Sequence, residues 1–397
     1  MTGVVPIRTT CRVCGSKTEP ILDLGESPLA NALLHTPDVE VPYYPLGLCA
    51  CTSCNLVQQR ASLPTDLLFD DAYPYFSGVS TTIRAHAKNL ARALRTYLPT
   101  GSRVLEVGSN DGTTQRALTA EGLVSVGVDP AAGPVAAAKH AGCTAYCGAM
   151  DAEMAEMLGN RHGSFDAVTM SNVFAHVPDP CALLSAVCKL MKDDGLLVIE
   201  VQSWLDLVDG GSWDMVYHEH HCHFSLSSLA TTLKRANLGI VKVQHIDAQS
   251  GSLRAFCRLG RPHAEHIDAL IASEAQAVAT APARLSAQLS AFRHSLATFA
   301  DMHTGQQVVG YGAAAKTVTL LAAAGGRLEL DCVADAAPSK IGKYLPIGGV
   351  PIIAPDELRK RGAKTVVLFA RNLRDEIIPT LAANAVWSPL PSFTRIA

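Results

Sequence analysis

Charge of either sign is scarce in this sequence, and what there is nearly cancels. Lys and Arg number 33 against 36 Asp and Glu, and charged residues make up only 17% of the 397 positions. A chain that grips nucleic-acid phosphates needs a basic field, which is missing here, and an acidic solvating chain is equally excluded. Long hydrophobic runs are missing too: none reaches the roughly 18 apolar residues of a membrane helix. Met1 to Thr10 shows no apolar core of the secretory kind, so a cytoplasmic protein with no nucleic-acid or membrane partner is expected. Short-period repeats and low-complexity tails are also absent.

What is present is enough apolar material, 48% of the chain, to fill more than one core, and the length suits two or three domains. The first 75 residues hold five of the twelve cysteines, several prolines and few helical patterns. Twelve cysteines in so long a chain do not make a disulfide scaffold, so the clustered ones read as ligands or thiols. Cys11-Arg12-Val13-Cys14 and Cys51-Thr52-Ser53-Cys54 form two Cys-x-x-Cys knuckles with 36 residues between them. Two such knuckles close a four-sulfur tetrahedral zinc site, which is coordinatively full and therefore structural. Cys49 is spaced too closely to Cys51 to join a knuckle. Unrelated thiols or a redox dithiol are the alternatives, and a dithiol leaves the second pair unexplained.

Beyond residue 75 the texture changes. Apolar residues recur at helical spacing from Thr81 to Leu98 (Ile83, Ala87, Leu90, Leu94). Short strands are predicted at Arg103–Val107, Leu123–Val128, Phe165–Met170 and Gly195–Val201, with helices around Pro134–His140 and Pro180–Met191. That βαβ rhythm predicts an α/β fold with a mostly parallel sheet. An Ala-rich stretch from about His263 to Phe299 reads as one or two linking helices. A second α/β unit opens at Gln307-Val308-Val309-Gly310-Tyr311-Gly312 and continues through strand-like Leu328–Val333 and Thr365–Phe369.

Val104-Leu105-Glu106-Val107-Gly108-Ser109-Asn110-Asp111-Gly112 runs from a strand through a glycine turn into a helix. Asn110 breaks the full G-x-G-x-x-G dinucleotide fingerprint, while Asp129 ends the next strand with a carboxylate suited to ribose hydroxyls. A ligand with a ribose, an ammonium and a sulfonium but no phosphates, S-adenosylmethionine, suits Glu106, Gly108, Ser109, Asn110 and Gly112. NAD(P) and an ordinary tight turn remain open at this point.

Further motifs are Leu24-Gly25-Glu26-Ser27-Pro28-Leu29-Ala30-Asn31, Asp71-Ala72-Tyr73-Pro74-Tyr75-Phe76-Ser77, Asn172-Val173-Phe174-Ala175-His176-Val177-Pro178, Tyr217-His218-Glu219-His220, Gly251-Ser252-Leu253-Arg254, Gly310-Tyr311-Gly312-Ala313-Ala314-Ala315-Lys316 and Tyr344-Leu345-Pro346. With the double Cys-x-x-Cys and the glycine loop, they closely resemble the sugar C-methyltransferases that act on nucleotide-linked deoxy-keto-sugars in antibiotic biosynthesis. The resemblance covers nearly the whole chain. It implies a zinc-binding domain over 1–75, a Rossmann-like S-adenosylmethionine-binding domain over 76–265 and a Rossmann-like substrate-binding domain over 266–397. It also implies a nucleotide-sugar substrate, a monomer, and Asn172 as a further cofactor contact.

Methylating carbon requires removal of a proton alpha to a ketone. Imidazole titrates near neutrality and can take it, with a nearby donor stabilising the enolate oxygen. The dense His218-Glu219-His220-His221-Cys222-His223 run lacks the H-E-x-x-H spacing of a metal helix. By the resemblance, His220 is the base candidate with Glu219 beside it, His176 the alternative, Tyr217 and His176 the supporting donors, and Tyr73 or Tyr75 reach over from the zinc domain. Lys316 is suited to meet a diphosphate as a point charge, with Tyr311 and Arg254 on the same substrate side. Departures from the family pattern fall mostly there: Gln249-Ser250 for His-Gly, Thr317-Val318 for Gly-Asn and Arg371 for Trp.

Overall fold

The computed structural model describes residues 5–68, 76–247, 251–381, 383 and 385–397. Its N-terminal sheet is built from β1 (Thr18–Ser27), β2 (Tyr44–Cys51) and β3 (Val57–Gln59), all antiparallel. The fourth strand comes from far along the chain, Cys222–His223, which pairs with Val57 and Gln58. So the sheet that carries the knuckles crosses the boundary expected at residue 75.

The central sheet contains β4 (Arg103–Val107), β5 (Val124–Asp129), β6 (Thr144–Cys147), β7 (Phe165–Ser171) and β8 (Met191–Gln202). After β9, the Cys222–His223 strand just described, β10 (Leu238–Ile246) and β11 (Ser252–Leu259) complete it. The order is β10-β11-β8-β7-β4-β5-β6, with β4 to β8 parallel and β11 antiparallel to β8. β4 is flanked by β5 on one side and β7 on the other, so the direction of winding reverses there. A ligand crevice is expected above its carboxyl end.

Alternation along the strands decides what faces that crevice. Val104, Ala167, Val198 and Phe256 pack under the helix Thr81–Arg95, in one apolar cluster with its Leu90 and Leu94. Two residues on from these strand positions, or two before Phe256, the same face turns polar: Glu106, Thr169, Glu200 and Arg254. All four are buried.

A single 38-residue helix, Glu265–Met302, follows and continues through Pro282. Its buried stripe (Val278, Ala281, Leu285, Leu289, Phe292, Leu296, Phe299) keeps the three- and four-residue spacing of one helical face, and that burial offsets the hydrogen bond Pro282 removes. The last sheet comprises β12 (Val308–Tyr311), β13 (Val333–Ala334), β14 (Ile352–Ile353), β15 (Thr365–Leu368), β16 (Ala385–Ser388) and β17 (Thr394–Arg395), in the order β14-β13-β12-β15-β16-β17. Residues 328–332 are not in the strand the sequence suggested. Asp331 turns its carboxylate to the Val308 amide at 3.1 Å instead, and pairing begins at Val333. Among the described residues no helix is long and apolar enough to cross a membrane.

Candidate active site and metal centre

The two knuckles meet as expected. The sulfurs of Cys11, Cys14, Cys51 and Cys54 all lie within 4.8 Å of one another, with Cys11–Cys54 at 3.5 Å and Cys14–Cys51 at 3.4 Å. Backbone amides of Val13, Ser53 and Cys54 point at the sulfurs, so each turn is wound to favour thiolate. The Cys11–Cys54 contact is shared between the two sulfurs, pulling the Cys11 thiol down and pushing that of Cys54 up. Four convergent soft ligands with their own N–H donors fit tetrahedral zinc, with no open position for chemistry. Cys49 lies outside the set, its thiol directed to the Gln58 carbonyl.

At the carboxyl end of β4 the glycine loop is held by carboxylates. Asp129 Oδ2 accepts from the Asn110 amide and Oδ1 from the Ala131 amide, both at 2.9 Å, while burial raises its carboxyl. Asn110 and Asp111 in turn accept from the amides of Ser77 (2.9 Å) and Gly78 (2.8 Å), which fastens the turn Ser77–Val79 over the crevice. Gly108, at φ +73°, leaves no room for a side chain: a Cβ would lie 2.1 Å from Val173 Cγ2. Gly112 makes its helix fit against Cys143. Asn172 opens the loop after β7 at φ +56°, its amide on the Glu200 carbonyl. Burial, with the charges of Asp129 and Asp111, pushes the Glu106 carboxyl up to about 8. Glu200 accepts from His86 at 2.6 Å and from Arg254 Nε. Burial works to raise its carboxyl, and these two partners hold it below the usual range.

The histidine turn is densely buried. His220 Nδ1 donates to the Met215 carbonyl at 2.7 Å, which fixes the tautomer and leaves Nε2 as the acceptor for the Tyr217 hydroxyl at 3.0 Å. The Tyr217 and His220 rings lie 4.1 Å apart, and His176 stands 4.6 Å from His220. His176 Nδ1 donates to the Glu219 carbonyl at 2.9 Å. Glu219 Oε1 accepts from Asn31 Nδ2 at 2.9 Å. Burial reverses the order of proton affinity expected from free side chains. It pushes His176 and His218 down to about 4, His221 and His223 to about 3, and His220 well below the usual value with help from His176 and His223. The same burial lifts Glu219 to about 7. The group poised near neutrality is thus a carboxyl, where the sequence suggested an imidazole.

Both flanking units hold this turn. Gln59 Nε2 donates to the Tyr217 carbonyl at 2.9 Å. From the other side Arg371 donates to Ser212 (3.3 Å) and to fully buried Asp214 (3.2 Å). Lys316 Nζ donates to Asn372 at 3.2 Å, and burial pulls its ammonium down. Tyr311 is buried at the end of β12. Asp335, at the end of β13, repeats the device of Asp129: its oxygens accept from the Ala313 and Ala337 amides, at 2.8 and 2.9 Å.

Residues 80–243 match the family described as "Methyltransferase domain", 247–389 that described as "C-methyltransferase C-terminal domain" and 11–69 that described as "Putative zinc binding domain". The C-methyltransferase NovU of Streptomyces niveus is 31% identical over 389 residues, 93% of this chain and 91% of its own. An uncharacterized methyltransferase of Mycobacterium sp. (strain KMS) is 28% identical over 176 residues, 42% of this chain and 68% of its own. Among solved structures, magnesium protoporphyrin IX methyltransferase from Synechocystis PCC 6803 with bound SAM is 13% identical at a TM-score of 0.35, covering 44% of this chain and 79% of that one. The chain belongs to the S-adenosylmethionine-dependent C-methyltransferase family.

This C-methyltransferase transfers methyl from S-adenosylmethionine to a small-molecule acceptor, and its crevice fits the cofactor. Glu106 Oε2, Ser109 Oγ, Thr169 Oγ1 and Ser171 Oγ are buried there with no hydrogen-bond partner among the described residues, a polar cradle waiting for a cationic ligand with hydroxyls. Tyr73 and Tyr75 lie outside the described residues. Arg254, expected on the substrate side, is committed to Glu200 under the crevice. Four residues of the arrangement escaped the sequence reading: Asn31, Gln59, His86 and Asp214. Asn31 ends the Leu24–Asn31 motif. The others carry no local signal, because their partners lie 100 or more residues away in the chain.

Proposed function

We propose that the enzyme methylates the alpha carbon of a nucleotide-activated, dTDP-linked 4-keto-deoxysugar through an enolate. The observation that carries this reading is the fixed Met215–His220–Tyr217 relay next to Glu219. A neutral imidazole with its lone pair aimed by a backbone carbonyl, a phenol hydroxyl and a buried carboxyl are the groups that moving a carbon-bound proton requires. S-adenosylmethionine, when bound, supplies an electrophilic methyl on sulfur. His220 Nε2 takes the alpha proton, and the Tyr217 hydroxyl turns from Nε2 to the enolate oxygen. His176 steadies the turn through the Glu219 carbonyl. Glu219 competes with His220 for the proton, since its carboxyl is the group matched to neutral pH. Burial keeps water from quenching the enolate. Lys316 and Tyr311 at the carboxyl end of β12 receive the nucleotide end of the substrate, in the division of labour 1–75, 76–265 and 266–397.

High-resolution mass spectrometry of products formed in deuterium oxide, with S-adenosylmethionine and a panel of dTDP-4-keto-deoxysugars, tests the reading. A gain of one methyl at the alpha carbon of the product, and entry of solvent deuterium at that carbon in unconverted substrate, both lost in His220→Asn or Glu219→Gln, are expected. A methyl that fragmentation places on oxygen or nitrogen would move the acceptor atom there. Neither gain nor exchange, with S-adenosylmethionine still bound, would overturn the keto-sugar assignment and leave a non-methylating reaction as the alternative.

A further inference from the structure

The zinc-bearing unit reaches the histidine turn through a side chain whose loop is fixed from a third direction. Leu34, three residues after Asn31, exchanges both backbone hydrogen bonds with Tyr344 of the C-terminal unit, at 2.9 and 2.8 Å. The Asn31 carbonyl accepts from the Leu33 amide at 2.9 Å. Further along the loop, Gly349 lies so close to Pro37 that a Cβ would stand 2.8 Å from its carbonyl oxygen. Asn31 is therefore delivered to Glu219 by a loop seated on the C-terminal unit, at the junction of all three parts of the chain.

Its target is asymmetric. Glu219 is 1% exposed, its Oε1 is held by Asn31 at 2.9 Å, and its Oε2 has no partner among the described residues. A buried carboxyl oxygen without a donor is costly unless a ligand supplies one. The titratable groups around it are His218, His220, His221 and Tyr217 on the turn, His176 from the turn Phe174–His176 and His223 on β9. All five imidazoles are neutral at pH 7, so among the described residues no ion pair holds the carboxyl in place of Asn31.

We propose that Asn31 is a positioning residue of the reaction: it fixes Glu219 so that Oε2 meets the proton-bearing group of the acceptor. The role rests on the proposed function for what Oε2 meets, and on the structure alone for the contact. It gives the N-terminal unit, whose metal site is closed to chemistry, a part in turnover.

The test uses the full-length, zinc-loaded enzyme with Asn31→Leu and the nearly isosteric Asn31→Asp. Carbon-13 NMR of glutamate-labelled protein, with Glu219 assigned by its loss in Glu219→Gln, reads the carboxyl midpoint; kcat and its pH profile are read with a dTDP-4-keto-deoxysugar. An amide donor favours the charged carboxylate, so Asn31→Leu raises the midpoint, and a second carboxylate in Asn31→Asp raises it further. Loss of the contact lowers kcat roughly 10- to 100-fold, with zinc content and KM for S-adenosylmethionine unchanged. An unmoved midpoint overturns the proposal, as does a kcat equal to wild type. If the wild type transfers no methyl, the keto-sugar reading falls, and the midpoint alone still decides for or against Asn31.

Discussion

Five imidazoles are buried and neutral in the folded enzyme, and acid should therefore unfold it steeply. His176, His218, His220, His221 and His223 take up protons in the unfolded chain from the ordinary value of 6.5 downward, but in the folded one four of them do so only near 3 to 4, and His220 only well below 6.5. The stability present at neutral pH is thus lost as pH falls from 6.5 toward those folded values. Each proton bound only by the unfolded chain contributes a slope of about 1.4 kcal/mol per pH unit. Glu106 and Glu219 act in the opposite sense, because their raised carboxyls keep protons that the unfolded chain sheds above 4.5. Near pH 5.5 five imidazoles against two carboxyls leave a net of about three protons, or roughly 4 kcal/mol per pH unit. That is a large part of the roughly 5–15 kcal/mol that keeps a domain folded. Denaturant titrations followed by the fluorescence of buried Trp204 and Trp213, from pH 7 to pH 5 with zinc in excess, measure it directly. His221→Phe is the sharpest comparison, since neither His221 ring nitrogen has a partner to lose among the described residues. Its slope should be shallower by about 1.4 kcal/mol per pH unit. A wild-type stability that stays level between pH 6 and 5, or an unchanged slope in His221→Phe, would refute the reasoning.

Glu106, raised to about 8, carries a proton in the free enzyme at pH 7 and must release it to solvent for its carboxylate to pair with a cationic cofactor. Calorimetry should find S-adenosylmethionine affinity rising by up to about tenfold per pH unit between pH 6 and 8, and Glu106→Gln should bind with no such dependence. Removing zinc, by chelation or Cys54→Ser, should lower Tm by roughly 10 °C or more and abolish methyl transfer, because β3 carries β9 and with it the histidine turn. Metal content, Tm and turnover measured on one sample check this, and turnover surviving metal loss would contradict it.

The parts legible in the sequence are those whose signal is local. Paired knuckles, the strand Arg103–Val107 running into its glycine loop, and helix periodicity from Thr81 need few residues to declare themselves, and the structure places them within a residue or two of the reading except where the helix ends, at Arg95. Strands β1 to β3 were not legible, because knuckle cysteines and prolines interrupt their alternation. The proton affinities of the histidine turn were not legible either. Nothing in Tyr217-His218-Glu219-His220 says that Asn31, Met215 and the neighbouring rings will seal it from water. Burial is set by the packing of three units, and it is burial that reverses the order of proton affinity between carboxyl and imidazole.

Strand β9 also sets a timetable for the chain. The edge of β3 waits for a partner that lies 163 residues downstream of Gln59. At a translation speed of roughly 5–20 residues per second, the cysteine sheet spends on the order of ten seconds or more with that edge bare. An unpaired strand edge invites the wrong neighbour. Early metal capture, which needs nothing beyond Cys54, would hold the nascent sheet in register until Cys222 and His223 arrive. In a zinc-starved cell the damage would then be done during synthesis, before any finished enzyme exists to lose its metal.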